Sequence, residues 1–436
     1  MIEIFQIIIQ LILFLFLSYF PINKYTTPIS LVFDNKDYFL FNILNLIFLL
    51  LILSFFQISL KISFLIIISV NLILLIFNIK NIIFEIKNKK NLLFKIFFLF
   101  VCLFIFINQA QNLQLGYDGL QIWKIKANNF YNGFNYLNVA SQYDHVKQYP
   151  HLGSFIWAYF WENSLGNKEY FGRLFHVYIY IFSLFLIVSS LDNLTELKKI
   201  IIVFLLLFFS YDLELNGYQE YFIFALLIIA ARFILKLINN NSKKKDFYYF
   251  YLFLISLISI CYIKNEGIFY SIFFCILFVF FKKSNTQKII TILVVGFVII
   301  LQLYISKTVY NLDSSFQFSL SDSFFKNQNI HDLSEIFYRI GMIIVYSIHA
   351  LLKYPIILFS FFGIILSLYY YHSNNENLPL LIFFLLNLIF ICSIYLVTPF
   401  PFEWHLQTSI KRLYLQTSGL YLFLIINIFN KKKIKI

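Results

Sequence analysis

The stretch FYYFYLFLISLISICYIKNEGIFYSIFFCILFVFF, residues 247–281, decides the class of this protein. Two apolar runs, 247–263 and 268–281, are separated only by Lys264-Asn265-Glu266-Gly267. Unbroken apolarity without alternation at every second residue reads as helix, not as the strand of a membrane barrel. Outward from this hairpin the pattern repeats. Runs at 4–20, 38–56, 62–77, 92–107, 175–191, 200–209 and 221–238 precede it, and runs at 289–305, 354–371, 378–396 and 413–429 follow. The run at 200–209 is the shortest.

Composition agrees with this pattern. Of 436 residues, 61% are hydrophobic and 13% charged, and the mean hydropathy is +0.79. At about 20 apolar residues per crossing, that supply makes roughly 13 spans. The expectation is an all-α polytopic membrane protein with about 13 transmembrane helices, and soluble, disordered and disulfide-rich secreted classes are excluded. The 4 cysteines are scattered inside apolar runs, so neither a disulfide framework nor a zinc site is indicated.

The net charge of +13 would suggest nucleic acid in a soluble protein. Here the lysines fall in short loops and are not interleaved with aromatics on one surface, so no nucleic-acid partner is expected and membrane lipids are. Lys80, Lys87, Lys89 and Lys90, Lys198 and Lys199, Lys236 and 243–245, Lys282, Lys283 and Lys288, and 431–433 mark cytoplasmic loops. The alternate segments 108–171, 211–220, 264–267, 306–354 and 398–412 are then external. Parity requires that 336–352, which carries Glu335, Arg339 and His349 in or beside a modest apolar face, lie on the outer interface as an amphipathic helix. The N-terminus is then outside, and its opening on Glu3 without a basic region argues against a cleavable leader. One membrane domain is expected, with helices in 1–110 added before a catalytic part at 111–436, in a bacterial inner membrane.

The external segments hold most of the unusual polar chemistry. Asp118 precedes KIKA-type helical spacing, in which Ile122, Trp123, Ile125 and Ala127 sit beside Lys124 and Lys126 and suggest a surface amphipathic helix. At the lip of a span Asp118 suits a general base or metal ligand, and equally a helix N-cap. His145, Tyr149, Pro150 and His151 form a polar knot, either a turn held by proline or the lining of a pocket. Two histidines six apart do not match a helical metal pair. Glu220 opens an apolar run at the same depth as Asp118. Lys264 and Glu266 sit in a reversal short enough to hold both charges near the membrane face. At 399–412, two prolines break the helix, Trp404 suits the interface, and His405 with Arg412 either binds an anion or forms an ordinary aromatic belt with a snorkelling arginine.

In order, YDGLQIWKIKA (117–127), QYPHLGSFIWA (148–158), NGYQEY (216–221), KNEG (264–267) and WHLQTSIKRL (404–413) resemble the GT-C integral membrane glycosyltransferases, in particular the protein mannosyltransferase and lipid A aminoarabinose transferase group. The resemblance runs from Gly116 to the C-terminus and leaves the first hundred residues uncovered. It implies transfer of a sugar from a polyprenyl-phosphate donor to a lipid, glycan or protein acceptor at the outer face. Asp118 matches the first-loop catalytic acid, although Gly119 stands where some relatives have a second acid. Glu220, the second catalytic acid on this reading, falls where many have an aspartate. Lys126, Arg173, Lys264 and Arg412, with His405, are candidates for the donor phosphate, and His145, Tyr149 and Glu266 for other substrate contacts. No cofactor is required by this reading, and a divalent metal is left open because the scattered acids define no coordination set. A polysaccharide polymerase or ligase using lipid-linked saccharides is the alternative, and a transporter is a more distant one.

Overall fold

The computed structural model describes residues 2–18, 35–56, 58–87, 92–136, 146–147, 149–191, 194–210, 217–239, 243–309, 333–370, 377–398 and 401–431. Among them there is no strand, and 16 α-helices are joined by turns and two π-helical segments. In order these are α1 (Ile2–Ser18), α2 (Asn35–Phe55), α3 (Leu60–Lys87), α4 (Leu92–Gln111), a π turn (Gly119–Trp123), α5 (Lys124–Tyr131), α6 (Leu152–Glu162), α7 (Tyr170–Ser189) and α8 (Glu196–Phe209). Then come α9 (Glu220–Asn239), α10 (Lys243–Cys261), α11 (Glu266–Phe281), α12 (Asn285–Tyr304), a second π turn (Ile305–Val309), α13 (Leu333–Lys353), α14 (Pro355–Tyr369), α15 (Leu378–Leu396) and α16 (Phe402–Lys431).

Six of these, in α4, α7, α9, α12, α13 and α15, are long and apolar enough to cross a membrane, and six shorter apolar helices lie in α1, α2, α3, α10, α11 and α14. The centre is α9. It is buried on every side from Glu220 to Ile234 and packs against α7, α10, α11 and α16. Around it the outer helices keep apolar faces open: Leu93, Phe100 and Phe104 on α4, and Leu293, Phe297 and Ile300 on α12, are each more than half exposed. Continuous exposed apolar surface of this kind fits hydrocarbon rather than water.

The hairpin of residues 247–281 closes as expected, and Gly267 shows why. A Cβ there would stand 2.0 Å from the carbonyl oxygen of Ile260, so only glycine lets α11 leave the turn in contact with the end of α10.

Four expectations change. The segment 108–171 contains helices that a loop reading does not provide: α6, too short for a span, is buried from Leu152 to Phe160. The helix after Asp118 is not a surface amphipath, because Lys126, Ala127 and Phe130 are all buried against the protein. Lys80 and Lys87 belong to the continued helix α3, not to a loop. Finally, the stretch denied a span, 336–352, is long and apolar enough for one. Glu335 and Arg339 neutralise each other across 2.8 Å in its first turns and leave an apolar window behind them.

α13 runs alongside α16. The Tyr338 hydroxyl donates to Glu403 at the start of α16, the Tyr414 hydroxyl donates to Ser347 at 2.9 Å, and Tyr354, one residue past α13, lies beneath Lys411 at 5.8 Å.

The N-terminal helices are part of the same core. Phe14 of α1 packs edge-on against Phe160 and Phe175, at 5.0 and 5.4 Å. Ser54 of α2 bonds His151, at 2.5 Å. Asp37, wholly buried at the start of α2, is held by Arg232 at 3.1 Å and by Lys236, both on α9. A buried carboxylate survives only when paired. This pair of cations lies about 18 Å or more along α9 from Glu220, so charge gathers toward opposite ends of one helix. Among the described residues, each ion pair between helices joins segments that the lysine pattern puts on the same face: Lys61 with Glu162, Lys168 with Glu3, and Lys282 with Asp246 are further cases.

Candidate functional site

The N-terminal end of α9 carries a cluster of five charged residues assembled from four separate segments. Asp118 lies immediately before the π turn, Glu220 is the first residue of α9, Lys264 and Glu266 flank the α10–α11 reversal, and Arg412 sits on α16. π turns interrupt the regular ladder and occur often at functional sites. Here the turn sets Asp118 at the edge of the bundle.

Arg412 is the hub. Its Nη1 bonds an Asp118 carboxylate oxygen and lies 3.6 Å from Glu220 Oε1. From the other side Lys264 Nζ reaches Glu220 Oε1 at 2.9 Å and Glu266 Oε1 at 3.4 Å. The chain therefore runs Asp118, Arg412, Glu220, Lys264, Glu266, with acids and cations alternating and a net charge of −1 when all are ionised. Burial opposes the charge on Lys264, but the Glu220 and Glu266 carboxylates outweigh it and raise its pKa, so the lysine stays protonated. Glu220 Oε2 and Glu266 Oε2 are buried without a hydrogen-bond donor. Side-chain exposure separates the acids: 21% for Asp118 and Glu266 against 2% for Glu220.

Gly217, at φ +87, turns the chain into α9. That left-handed conformation suits glycine, and a Cβ would meet Leu115 at 2.6 Å. The turn brings the Tyr218 ring beneath the Arg412 guanidinium, 5.4 Å from its centroid. Tyr218 was not among the sequence candidates. Its place beside Gly217 in the Asn-Gly-Tyr turn was the only available signal.

Other candidates are distributed differently. Lys126 is fully buried and its Nζ donates to the Tyr149 carbonyl; burial lowers its pKa to about 7. It supports Tyr149 and presents no cation to the cluster. The added residue of the π turn shifts the following helix in phase and takes Lys126 inward. Tyr149, edge-on to Trp123 at 5.3 Å, borders the cluster: burial pushes its hydroxyl up to about 12, with smaller opposing effects from Lys264 and Glu266. His405, ahead of the apolar run of α16, bonds Thr398 Oγ1 through Nδ1 at 2.7 Å. Burial, then the charge of Arg412, lowers its pKa to about 4, so it is neutral near pH 7 and supplies no second cation. Arg173 is 2% exposed, donates to the Leu113 carbonyl at 3.1 Å and faces Glu169 at 3.8 Å. With His176 and Tyr218 it lines a separate small pocket, which shares with the cluster only the Tyr218 wall. His145 lies outside the described residues.

Among the described residues no three His, Cys, Asp or Glu side chains are placed to hold a metal ion. The three cluster acids are interleaved with Lys264 and Arg412, and this donor set does not fit a divalent cation. The larger cavity is lined by neither Asp118 nor Glu220. Searches with family models, characterised protein sequences and solved structures find no match.

Proposed function

We propose that the protein is an integral membrane glycosyltransferase of GT-C type that moves a sugar from a polyprenyl-phosphate carrier to an acceptor hydroxyl on a lipid, glycan or protein at the outer face. The observation that carries this reading is the convergence of Asp118, Glu220, Lys264, Glu266 and Arg412 from four segments, each a motif in the expected order, at one end of the bundle.

Asp118 is the base. The acceptor oxygen attacks the anomeric carbon as its proton passes to an Asp118 carboxylate oxygen, and the bond from that carbon to the phosphate oxygen breaks with its electron pair on the polyprenyl phosphate. A positioned carboxylate contributes about 100- to 10,000-fold to such a step. The departing phosphate needs cations. Arg412 supplies one by exchanging Asp118 for the donor phosphate, which also frees Asp118 to take the proton. Glu220, 2% exposed and held by Lys264, positions Arg412 and does not itself take a proton. The unpaired oxygens of Glu220 and Glu266 offer acceptors for sugar hydroxyls.

Most charged groups lie at helix ends, which favours this reading over a transporter. Arg412, inside α16, belongs to the cluster itself, and Arg232, inside α9, is closed by Asp37 in a pairing that fits a pin between α2 and α9. Purified protein should transfer label from at least one of a panel of radiolabelled polyprenyl-phosphate sugars to total membrane acceptors. Failure with every donor, in protein that remains folded, would remove the assignment.

A further inference from the structure

A second feature on α16 takes no part in the charged cluster. An apolar cavity of about 300 Å³ lies between α13, α14, α15 and α16, within the size range of ligand sites. Its hydroxyl groups are largely spent on the protein. Ser360 donates to the Ile356 carbonyl at 2.7 Å, Ser347 to the Ile343 carbonyl at 2.6 Å, and Tyr414 to Ser347 at 2.9 Å. Beside the unpartnered Tyr421 hydroxyl, what remains for an occupant is hydrocarbon.

The α16 residues lining it, Tyr414, Ser418 and Tyr421, follow one another by four and three positions and so share a helix face. Arg412 is two positions from Tyr414, or about 200° around the helix. The cavity and the cluster therefore lie on opposite sides of α16.

Two cations stand beside the cavity lining where α13 passes into α14. Lys353 and Lys411 each hold their Nζ 5.8 Å from the centroid of the Tyr354 ring. Both lysines are exposed, and Lys411 lies three residues before Tyr414, on the same face. Leu351 and Ile357, on either side of Tyr354, line the cavity directly below. A hydrocarbon slot with two cations beside it complements an amphiphile with an apolar chain and an anionic head.

We propose that this is a binding site for an anionic phospholipid of the surrounding bilayer, with one acyl chain in the cavity and the phosphate between Lys353 and Lys411. The cavity that takes the acyl chain faces away from Asp118 and Glu220 across α16, so its resident is not placed to react. The bound lipid braces α13 against α16. The inference is independent of the glycosyl-transfer assignment.

The test uses the delipidated full-length protein, titrated separately with phosphatidylglycerol and phosphatidylcholine and examined by native mass spectrometry. Wild type should retain phosphatidylglycerol in preference. Near a membrane each lysine favours anionic lipid enough that removing two should cut the preference about 10- to 30-fold, so K353Q/K411Q should hold both lipids alike with an unchanged thermal midpoint. Ser360→Phe, which fills the slot, should weaken retention of both. The proposal is overturned if wild type shows no preference, if the double variant keeps it, or if polyprenyl phosphate displaces phosphatidylglycerol from wild type and loses its own affinity in K353Q/K411Q.

Discussion

Arg412 is already occupied, and this changes what its loss should do. With Nη1 shared between Asp118 and Glu220, Arg412→Ala removes both the cation offered to the donor phosphate and the counter-ion of two acids. Loss of a charge-assisted contact of this kind costs about 1.5 to 3 kcal/mol, so donor use should fall roughly 10- to 150-fold in a Michaelis analysis with varied donor. Arg412→Lys should be impaired as well, because an ammonium cannot reproduce the guanidinium fork. Normal donor affinity in Arg412→Ala, with loss only of folding, would return the residue to the role of an interfacial anchor. Lys126 gives a pH test. Its folded pKa, about 7, lies below the ordinary lysine value of 10.5, so between these pH values the unfolded chain holds the extra proton. Stability should rise with pH through that window and be lowest at or below about pH 7. Lys126→Met should flatten this slope in thermal unfolding in detergent. An unchanged slope would show that Lys126 does not titrate there. Asp118 and Arg412 were both visible as candidates in the sequence, but their pairing was not: 294 positions separate them, and a motif read alone shows no partner.

At the scale of elements, the long apolar runs were legible because a crossing helix writes its length into the sequence, whereas α5 and α6 were not. The LGSFIWAYFWE helix is 11 residues long, shorter than a span, and its burial comes from α7 and α2 packing on it. The π turn was equally hidden, and with it the inward direction of Lys126. The α10–α11 hairpin offers the sharpest structural test. Gly267→Ala would place a methyl group 2.0 Å from the Ile260 carbonyl oxygen, and the resulting strain should cost about 1 to 3 kcal/mol. Because Lys264 and Glu266 are fixed by this turn, activity should fall together with the thermal midpoint. A variant of wild-type midpoint would mean that the two helices are not pressed together there.

For the molecule as a whole, the lysine pattern and the inter-helix ion pairs sort the chain the same way. Single cysteines at Asn265, Lys307 and Trp404, in protein lacking its native cysteines, should be labelled from outside intact cells, whereas one at Lys244 should require permeabilisation. Opposite accessibility at Lys307 and Trp404 would show that α13 crosses, against the parity of the lysine-bearing loops. The most direct measurement is transfer by Asp118→Asn. The amide keeps the shape of the side chain but cannot take the acceptor proton at neutral pH, so label from an active polyprenyl-phosphate sugar should move at least 100-fold more slowly than in wild type, with the thermal midpoint retained. Transfer at near wild-type rate by the folded variant would contradict the account, because no base would remain where Asp118 meets Arg412.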